Sequence, residues 1–245
     1  MMDPSAEPLF DEASSFYVPV AASTMDEARA LSAGCPSGLV RAGRQTAGRG
    51  RLPGRAWHDQ ADDSLLVTFW LPSGSFYTAP PPLLAGLAVR RALLAWANAA
   101  GAVFRQTIEL KWPNDVLCGG RKLAGILCES GGGTVYIGIG VNCGQHGFTE
   151  DYRTEPTSIF IETGTWPVPA DLLGHLARAL WDLLHPDNAW QPEYESCLAW
   201  RGQRVLFRPG LDGEALEGTL EGVDASGAVI VSGHAWPSGE LARRY

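Results

Sequence analysis

The chain has 245 residues, of which 45% are hydrophobic and 19% are charged, the balance of a globular protein with a sizeable core. Its formal net charge of −8 excludes a general nucleic-acid binder, because phosphate contacts need a basic surface. No continuous apolar run approaches bilayer-spanning length, and the acidic start lacks the features of a signal peptide. The five cysteines form no CxxC pair, so we expect reduced thiols in a cytoplasmic protein without membrane association.

Helix caps, turn residues and apolar periodicity predict the elements in chain order. After a flexible leader at residues 1–15, the first half predicts a helix capped by Ser23-Thr24, a strand from Leu39, a strand over 64–71 and a helix that follows Pro80–Pro82 and ends at Gly101. The second half predicts strands at 108–111, 116–118, 122–129 and 135–141, a helix over 171–184 and short strands at 205–207, 216–223 and 228–231. The chain is therefore predicted to be α+β, with a mixed sheet and flanking helices in residues 16–199 and a small β-barrel in residues 200–245.

Positive charge is concentrated in one stretch, which we call the Arg/Gly segment (residues 41–57). It contains five arginines, interleaved glycines and no acidic residue. Glycine lets the backbone approach a ligand closely, and the planar guanidinium suits phosphate and carboxylate groups. A solvated surface loop is the competing interpretation. A dinucleotide-binding fingerprint is disfavoured, because the glycine spacing misses the pattern by one residue and Pro53 falls where a helix should be under way.

A second stretch, which we call the lysine hairpin (residues 111–127), places two lysines around a Gly119-Gly120 turn. Lys111-Trp112-Pro113-Asn114-Asp115 precedes the turn, and Arg121-Lys122 leads into an apolar strand. A lone lysine is usually a surface cation. A lysine within an apolar strand must be paired with an anion or lose its charge, so this pattern indicates an anion site.

Together the two stretches closely resemble the biotin–protein ligase family. Residues 48–57 match its GRGRxGR-W loop, and residues 111–127 match its KWPND…RKLAGIL pattern. The resemblance covers about residues 20–145. It implies a biotin/lipoate-ligase-like catalytic domain followed by an SH3-like C-terminal barrel.

The resemblance also implies the site residues. The residues with catalytic roles are Lys122, Arg49 and Lys111. The biotin contacts are Ser23, Thr24, Met25, Gln45, Arg49, Gly50, Arg51, Lys122 and Gly125. The ATP contacts are Arg49, Arg51, Arg55, Trp57, Lys111, Asn114 and Asn142. No metal ligand is assigned, because Mg²⁺ would arrive on the ATP phosphates, aided by Asn114. Asp115 is left open between this site and a structural turn.

Three features depart from the family pattern or imitate another one. Met25 stands where the family has Asn, which removes one expected polar contact with biotin. Pro53 is an extra residue, so the position of Arg55 is less well defined than that of Arg49. Residues 130–136 resemble a lipoate–protein ligase motif, but their neighbours differ from it, and we interpret them as a turn.

The resemblance implies an ATP-dependent enzyme that forms biotinyl-5′-adenylate and transfers biotin to a lysine of a biotin carboxyl carrier protein or domain. Two alternatives are a lipoate or octanoate transferase and a non-catalytic biotin-binding sensor. The short stretch before Ser23 predicts no direct DNA binding, because it is too short for the helix-turn-helix domain of some relatives. The resemblance also allows a homodimer.

Overall fold

A computed structural model describes residues 14–51, 54, 57, 63–75, 79–148, 152, 154–184, 189–210 and 213–243. Its helices are α1 (Thr24–Leu31), α2 (Pro81–Ala100), α3 (Ile159–Thr163), α4 (Pro169–Leu183) and α5 (Trp190–Ser196). The first seven strands are β1 (Ser15–Ala21), β2 (Gly38–Gln45), β3 (Ser64–Pro72), β4 (Ile108–Lys111), β5 (Asp115–Cys118), β6 (Arg121–Gly131) and β7 (Thr134–Asn142). The remaining strands are β8 (Arg204–Pro209), β9 (Leu216–Val223), β10 (Val229–Val231), β11 (His234–Trp236) and β12 (Gly239–Arg243).

The first seven strands form one mixed sheet in the order β1-β2-β3-β7-β6-β5-β4. Strands β1 and β2 are parallel, whereas the other neighbours pair antiparallel. The last five strands form an antiparallel sheet in the order β11-β10-β9-β8-β12, where the sequence predicts a small barrel. The predicted α+β class, with a mixed sheet, flanking helices and a C-terminal β unit, is confirmed.

Helix α2 packs on the sheet and on α4, and forms the centre of the core. Prolines occupy its first turn, where their missing N–H groups cost nothing, and Gly101 ends it in the left-handed conformation at φ 63°. By length and hydropathy α2 alone, among the described residues, could cross a membrane, but 61% of its apolar window is buried inside the protein. It therefore has the packing of a core helix.

Glycines in the left-handed conformation form the turns before and after strand β6. Gly119 and Gly120 have φ values of 57° and 80°, the left-handed conformation that a two-residue hairpin turn requires. Gly132 and Gly133 make the same kind of turn between β6 and β7, as predicted for the stretch that resembles a lipoate-ligase motif.

Several elements were not predicted. Strand β1 begins at Ser15, so the last two residues of the predicted leader, 14 and 15, are ordered, whereas residues 1–13 lie outside the described residues. Strand β1 escaped prediction because it lies at the sheet edge and contains Pro19, which disfavours interior strands. Helices α3 and α5 are five and seven residues long, too short for a clear period.

None of the five cysteines is in a disulfide. Burial raises the pKa of Cys118 and Cys143 to about 12, and that of Cys197 to about 11. These three thiols therefore stay protonated at neutral pH.

Candidate active site

The Arg/Gly segment and the lysine hairpin meet across one open cleft, with a cavity volume of about 140 Å³, on a face of the large sheet. Twelve of the predicted site residues line this cleft: Ser23, Thr24, Met25, Gln45, Arg49, Gly50, Arg51, Trp57, Lys111, Asn114, Lys122 and Gly125. Of the other two, Arg55 lies outside the described residues, and Asn142 does not line the cleft.

The strand register explains how distant residues share this face. Residues directly opposite each other on neighbouring strands point to the same side of a sheet. Asp115, Gly125 and Gly140 form one such row across β5, β6 and β7. A second row joins Leu127 and Gly138 to Thr68 on β3. Gly125, Gly138 and Gly140 have no side chains and form the floor of the cleft, and larger side chains stand on both sides of it.

On the β2–β3 side, the wall of the cleft is polar but uncharged. Ser23 caps α1 by accepting the N–H of Met25, and Thr24 follows it at the first turn. The Oε1 atom of Gln45 accepts from the Thr24 N–H at 2.7 Å and from the Thr24 hydroxyl at 3.0 Å. Thr68 donates its hydroxyl to that of Thr24 at 2.9 Å. These bonds hold the amide and the hydroxyls in place beside a ligand.

On the β5–β6 side, one carboxylate joins both predicted lysines. Lys122 Nζ lies 2.7 Å from Asp115 Oδ1, and Lys111 Nζ lies 3.4 Å from Asp115 Oδ2. Burial alone would raise the pKa of Asp115, but the two lysines outweigh burial and hold that pKa below its ordinary value. Asp115 is therefore ionised at neutral pH, and the cluster keeps a net positive charge that an anion can use.

The backbone around these lysines is shaped by two local features. The register of β5 against β6 shifts between Val116 and Leu117, which pair with Ala124 and Lys122, so Leu123 is the extra residue of a β-bulge. A bulge changes the direction of the side chain beside it, here that of Lys122. The side-chain amide of Asn114 donates to the Ile126 carbonyl at 3.0 Å. The main-chain carbonyl of Asn114 accepts the Ile126 N–H at 2.9 Å.

Arg49 and Arg51 of the Arg/Gly segment have protein partners in this structure. Arg49 forms a two-bond ion pair with Asp26, at 2.7 and 2.9 Å, on a half-exposed surface. Its hydrogen bond to the carboxylate lowers the pKa of Asp26. Arg51 donates to the carbonyl of Gly239, on β12 of the C-terminal sheet, at 2.9 Å.

Trp57 lies on the glycine floor of the cleft. A Cβ atom at Gly140 would be 2.6 Å from its indole ring, and one at Gly125 would be 3.0 Å away. Lys122 Nζ is 5.9 Å from the ring centre. The indole N–H of Trp57 is buried and has no hydrogen-bond partner in the described part of the protein. A bound ligand could supply the missing acceptor.

Asn142, expected at the nucleotide, is placed below the cleft. Its amide donates to the Thr157 carbonyl at 2.9 Å, with a longer contact to the Lys122 carbonyl at 3.5 Å. In this position it holds two backbone segments together.

Sequence reasoning missed several contributors to the cleft, among them Thr68, Trp112 and Glu240. Thr68 has no exposed surface and interrupts the apolar residues 65–71 of β3, and a buried polar residue inside such a run was a usable signal. Trp112 of the lysine hairpin donates its indole N–H to the Gly227 carbonyl at 3.0 Å, which anchors the C-terminal sheet. Glu240, on β12, also lines the cleft, and no local sequence pattern predicts that position.

The described residues of the cleft offer cations and hydrogen-bonding groups. Among the described residues no group of three or more His, Cys, Asp or Glu side chains could hold a metal. Asp115 is already engaged by two lysines. The cleft combines uncharged hydrogen-bonding groups on one side with cations on the other. Such a site suits a ligand with a polar, uncharged part and an anionic part such as a carboxylate or a phosphate.

Comparisons with known proteins agree with this chemistry. The profile of the Biotin/lipoate A/B protein ligase family matches residues 17–145. A biotin–[acetyl-CoA-carboxylase] ligase of Paracoccus denitrificans is 36% identical over 228 residues, which cover 87% of this chain and 92% of the relative.

Solved structures share the fold. The biotin protein ligase of Aquifex aeolicus in complex with biotin and ATP matches with a TM-score of 0.79 and 24% identity, over 95% of this chain and 99% of its own. That of Leishmania major in complex with biotinyl-5-AMP has a TM-score of 0.64 and 26% identity, over 93% and 97%. With the matched profile spanning more than half of its length, this chain belongs to the biotin/lipoate A/B protein ligase family, and within it to the biotin protein ligases.

Proposed function

We propose that this protein is an ATP-dependent enzyme that activates biotin as biotinyl-5′-adenylate and then transfers it to a lysine of a carrier protein. The observation that carries the proposal is the meeting of the Arg/Gly segment and the lysine hairpin around one cleft. The 36% sequence identity to a biotin–[acetyl-CoA-carboxylase] ligase, over 87% of this chain, supports the same reaction.

The first step joins two anions, and the cations of the cleft make this feasible. A carboxylate oxygen of biotin attacks the α-phosphorus of ATP, the bond to the β-phosphate oxygen breaks, and pyrophosphate leaves. Lys122 would bridge the biotin carboxylate and the α-phosphate. Lys111, Arg49 and Arg51 would offset the charge that builds on the phosphates. Thr24, Gln45 and Ser23 would receive the uncharged ring of biotin.

In the second step, the neutral amine of a carrier lysine attacks the carbonyl carbon of the mixed anhydride. The bond to the phosphate oxygen breaks, AMP leaves, and the new amide nitrogen loses its proton. Water competes with the amine, so the adenylate must be shielded until the carrier arrives. We propose that the Arg/Gly segment provides this cover, with Trp57 near the adenine.

Mg²⁺ belongs to the substrate in this proposal. It would enter as the MgATP complex, with the phosphates as its main ligands and the side-chain oxygen of Asn114 nearby. We further propose a biotin carboxyl carrier protein or domain as acceptor. Arg55 and Asn142 as ATP contacts, a cytoplasmic location and a homodimer remain predictions from the sequence.

Exchange of labelled pyrophosphate into ATP tests the proposal directly. Biotin should support exchange, and lipoate or octanoate should not. Exchange with lipoate but not biotin would indicate the lipoate-transferase alternative. Biotin binding without any exchange would indicate a sensor. A non-catalytic sensor would be expected to lose a charged residue at position 49, 51, 111 or 122, and all four are present, which favours the enzyme.

A further inference from the structure

Glu162 on α3 is the only charged residue that is fully buried in the described part of the chain, with 1% of its surface exposed. It does not line the cleft. A buried carboxylate is costly unless its oxygens are hydrogen-bonded and its charge is paired. Both conditions are met here, and both partners lead to Lys122.

One oxygen of Glu162 accepts two bonds. Arg121 donates Nη2 to Oε1 at 2.7 Å, and the hydroxyl of Thr157 donates to the same atom at 2.7 Å. Arg121 directly precedes Lys122 in β6. Thr157 has no exposed surface, so its hydroxyl depends on this acceptor.

Residues 155–157 in turn hold the main chain of Lys122 on both sides. The Lys122 N–H donates to the Glu155 carbonyl at 2.7 Å, and the Lys122 carbonyl accepts the Thr157 N–H at 2.8 Å. Asn142 ties the Thr157 carbonyl to β7 at 2.9 Å. Lys122 thus gains an additional parallel bridge, to Pro156, beside its strand ladder.

This support is placed where the ladder is weakest. The β-bulge at Leu123 interrupts the regular pairing of β5 and β6 next to Lys122. The direction of the lysine side chain therefore depends on what holds its own backbone. That hold comes from residues 155–157, which Glu162 secures through Thr157, while Arg121 secures the preceding residue.

We propose that Glu162 is a positioning residue for Lys122. It acts through Thr157 and Arg121, without touching substrate, and holds Lys122 Nζ at Asp115 and at the reacting groups. The catalytic part of this inference rests on the proposed biotin-activating function. The structural part concerns the Lys122 backbone alone.

The test measures adenylate formation in a single turnover of the full-length protein, with separate readings of rate constant and amplitude. Glu162→Ala should slow the rate constant about 10- to 100-fold, the effect of a small misplacement of a catalytic group. Thr157→Val should slow it in the same direction, because it keeps the volume and loses the hydroxyl. Glu162→Gln should stay within about threefold of wild type, because its Oε1 can accept both bonds. The amplitude per folded chain should not change.

The double variant Glu162→Ala/Thr157→Val should be no slower than the slower single variant, since both remove the same link. Glu193→Gln is the matched control, because Glu193 pairs with Arg91 away from the cleft. It should leave the rate unchanged. Fully additive effects, or a loss of amplitude with an unchanged rate constant in Glu162→Ala, would overturn the positioning role.

Hydrogen exchange keeps this inference separate from the proposed function. Glu162→Ala should speed exchange of the Lys122 and Thr157 amides and leave the Ile139 amide in β7 protected. This reading needs no biotin. If wild type shows no biotin-dependent exchange of pyrophosphate, the proposed function fails, while the amide data still decide the structural part. Unchanged hydrogen exchange at the Lys122 and Thr157 amides in Glu162→Ala would refute the inference by itself.

Discussion

The lysine hairpin and the Arg/Gly segment bring cations to the same cleft, but the protein holds them differently. Lys111 and Lys122 stand on strands and share one nearly buried carboxylate. Arg49 instead pairs with Asp26 on a half-exposed surface, and Arg51 reaches a carbonyl of the other sheet. Ion pairs removed from water are strong and screened little, whereas exposed pairs contribute little. We therefore expect the hairpin to act as a prebuilt anion site, and Arg49 and Arg51 to exchange their partners for a ligand at low cost.

Removing the central cation of the prebuilt side should have the largest effect. Lys122→Ala should slow adenylate formation about 10²- to 10³-fold, as loss of one preorganised charge-stabilising donor does. The variant should stay folded, because Asp115 keeps Lys111 as a partner. Pyrophosphate exchange and thermal unfolding measure the two effects, with Arg178→Ala, in an exposed ion pair of α4, as control. Near-normal turnover would remove the role assigned to Lys122.

Neutralising the shared carboxylate should cost both activity and stability. Asp115→Asn leaves two lysines without their anion, and breaking a buried pair costs about 3–5 kcal/mol. Because the folded-state pKa of Asp115 is lowered, its stabilisation is present above its ordinary pKa and is lost as pH falls through the folded value. Urea unfolding should therefore show a gap between wild type and variant at pH 7 that shrinks below about pH 4. A gap that does not change with pH would show that ionisation of Asp115 is not its source.

Filling the glycine floor tests how the two sides fit together. Gly140→Ala would place a methyl group 2.6 Å from the Trp57 ring, so we expect a cost of about 1–3 kcal/mol and weaker ATP binding. In a Trp57→Ala background the same change should cost little. Gly131→Ala is the matched control, because a Cβ there meets no atom within 4 Å. An equal cost of Gly140→Ala in both backgrounds would mean that the indole does not rest on this floor.

The surface pair should give the smallest effect. Asp26→Asn should change stability by less than about 1 kcal/mol, as exposed pairs do. Its effect on adenylate formation should be correspondingly small, less than about threefold. In an NMR titration, Arg49→Ala should return the pKa of Asp26 towards its ordinary value, because the Arg49 hydrogen bond is the main cause of its lowering. A loss of stability as large as that of Asp115→Asn would show that the Arg/Gly segment is as firmly held as the hairpin.

Much of this molecule could be predicted from local patterns. The Ser23 cap, the prolines that start α2 and the paired glycines of both hairpin turns are dictated by backbone chemistry within a few residues, and each element was placed correctly. Both cation-rich segments were also identified. The missed elements, β1, α3, α5, β11 and β12, are short or lie at an edge, where contacts with distant residues outweigh intrinsic preference.

By itself, the sequence determined which chemical groups the site contains, because the residue types and spacings at Gly48–Trp57 and Lys111–Leu127 already indicate an anion site and its family. Only the tertiary structure decided how those groups work together. The strand register places Asp115 in one row with Gly125 and Gly140. Both lysines therefore pair with the Asp115 carboxylate, and the Trp57 indole lies on the two glycines. The tertiary structure also brings two residues from far along the chain to this site. Glu162 lies behind Lys122, and Glu240 lines the cleft. The physical reason is that pairing between strands and burial of charge are relations between distant residues, which no local pattern records.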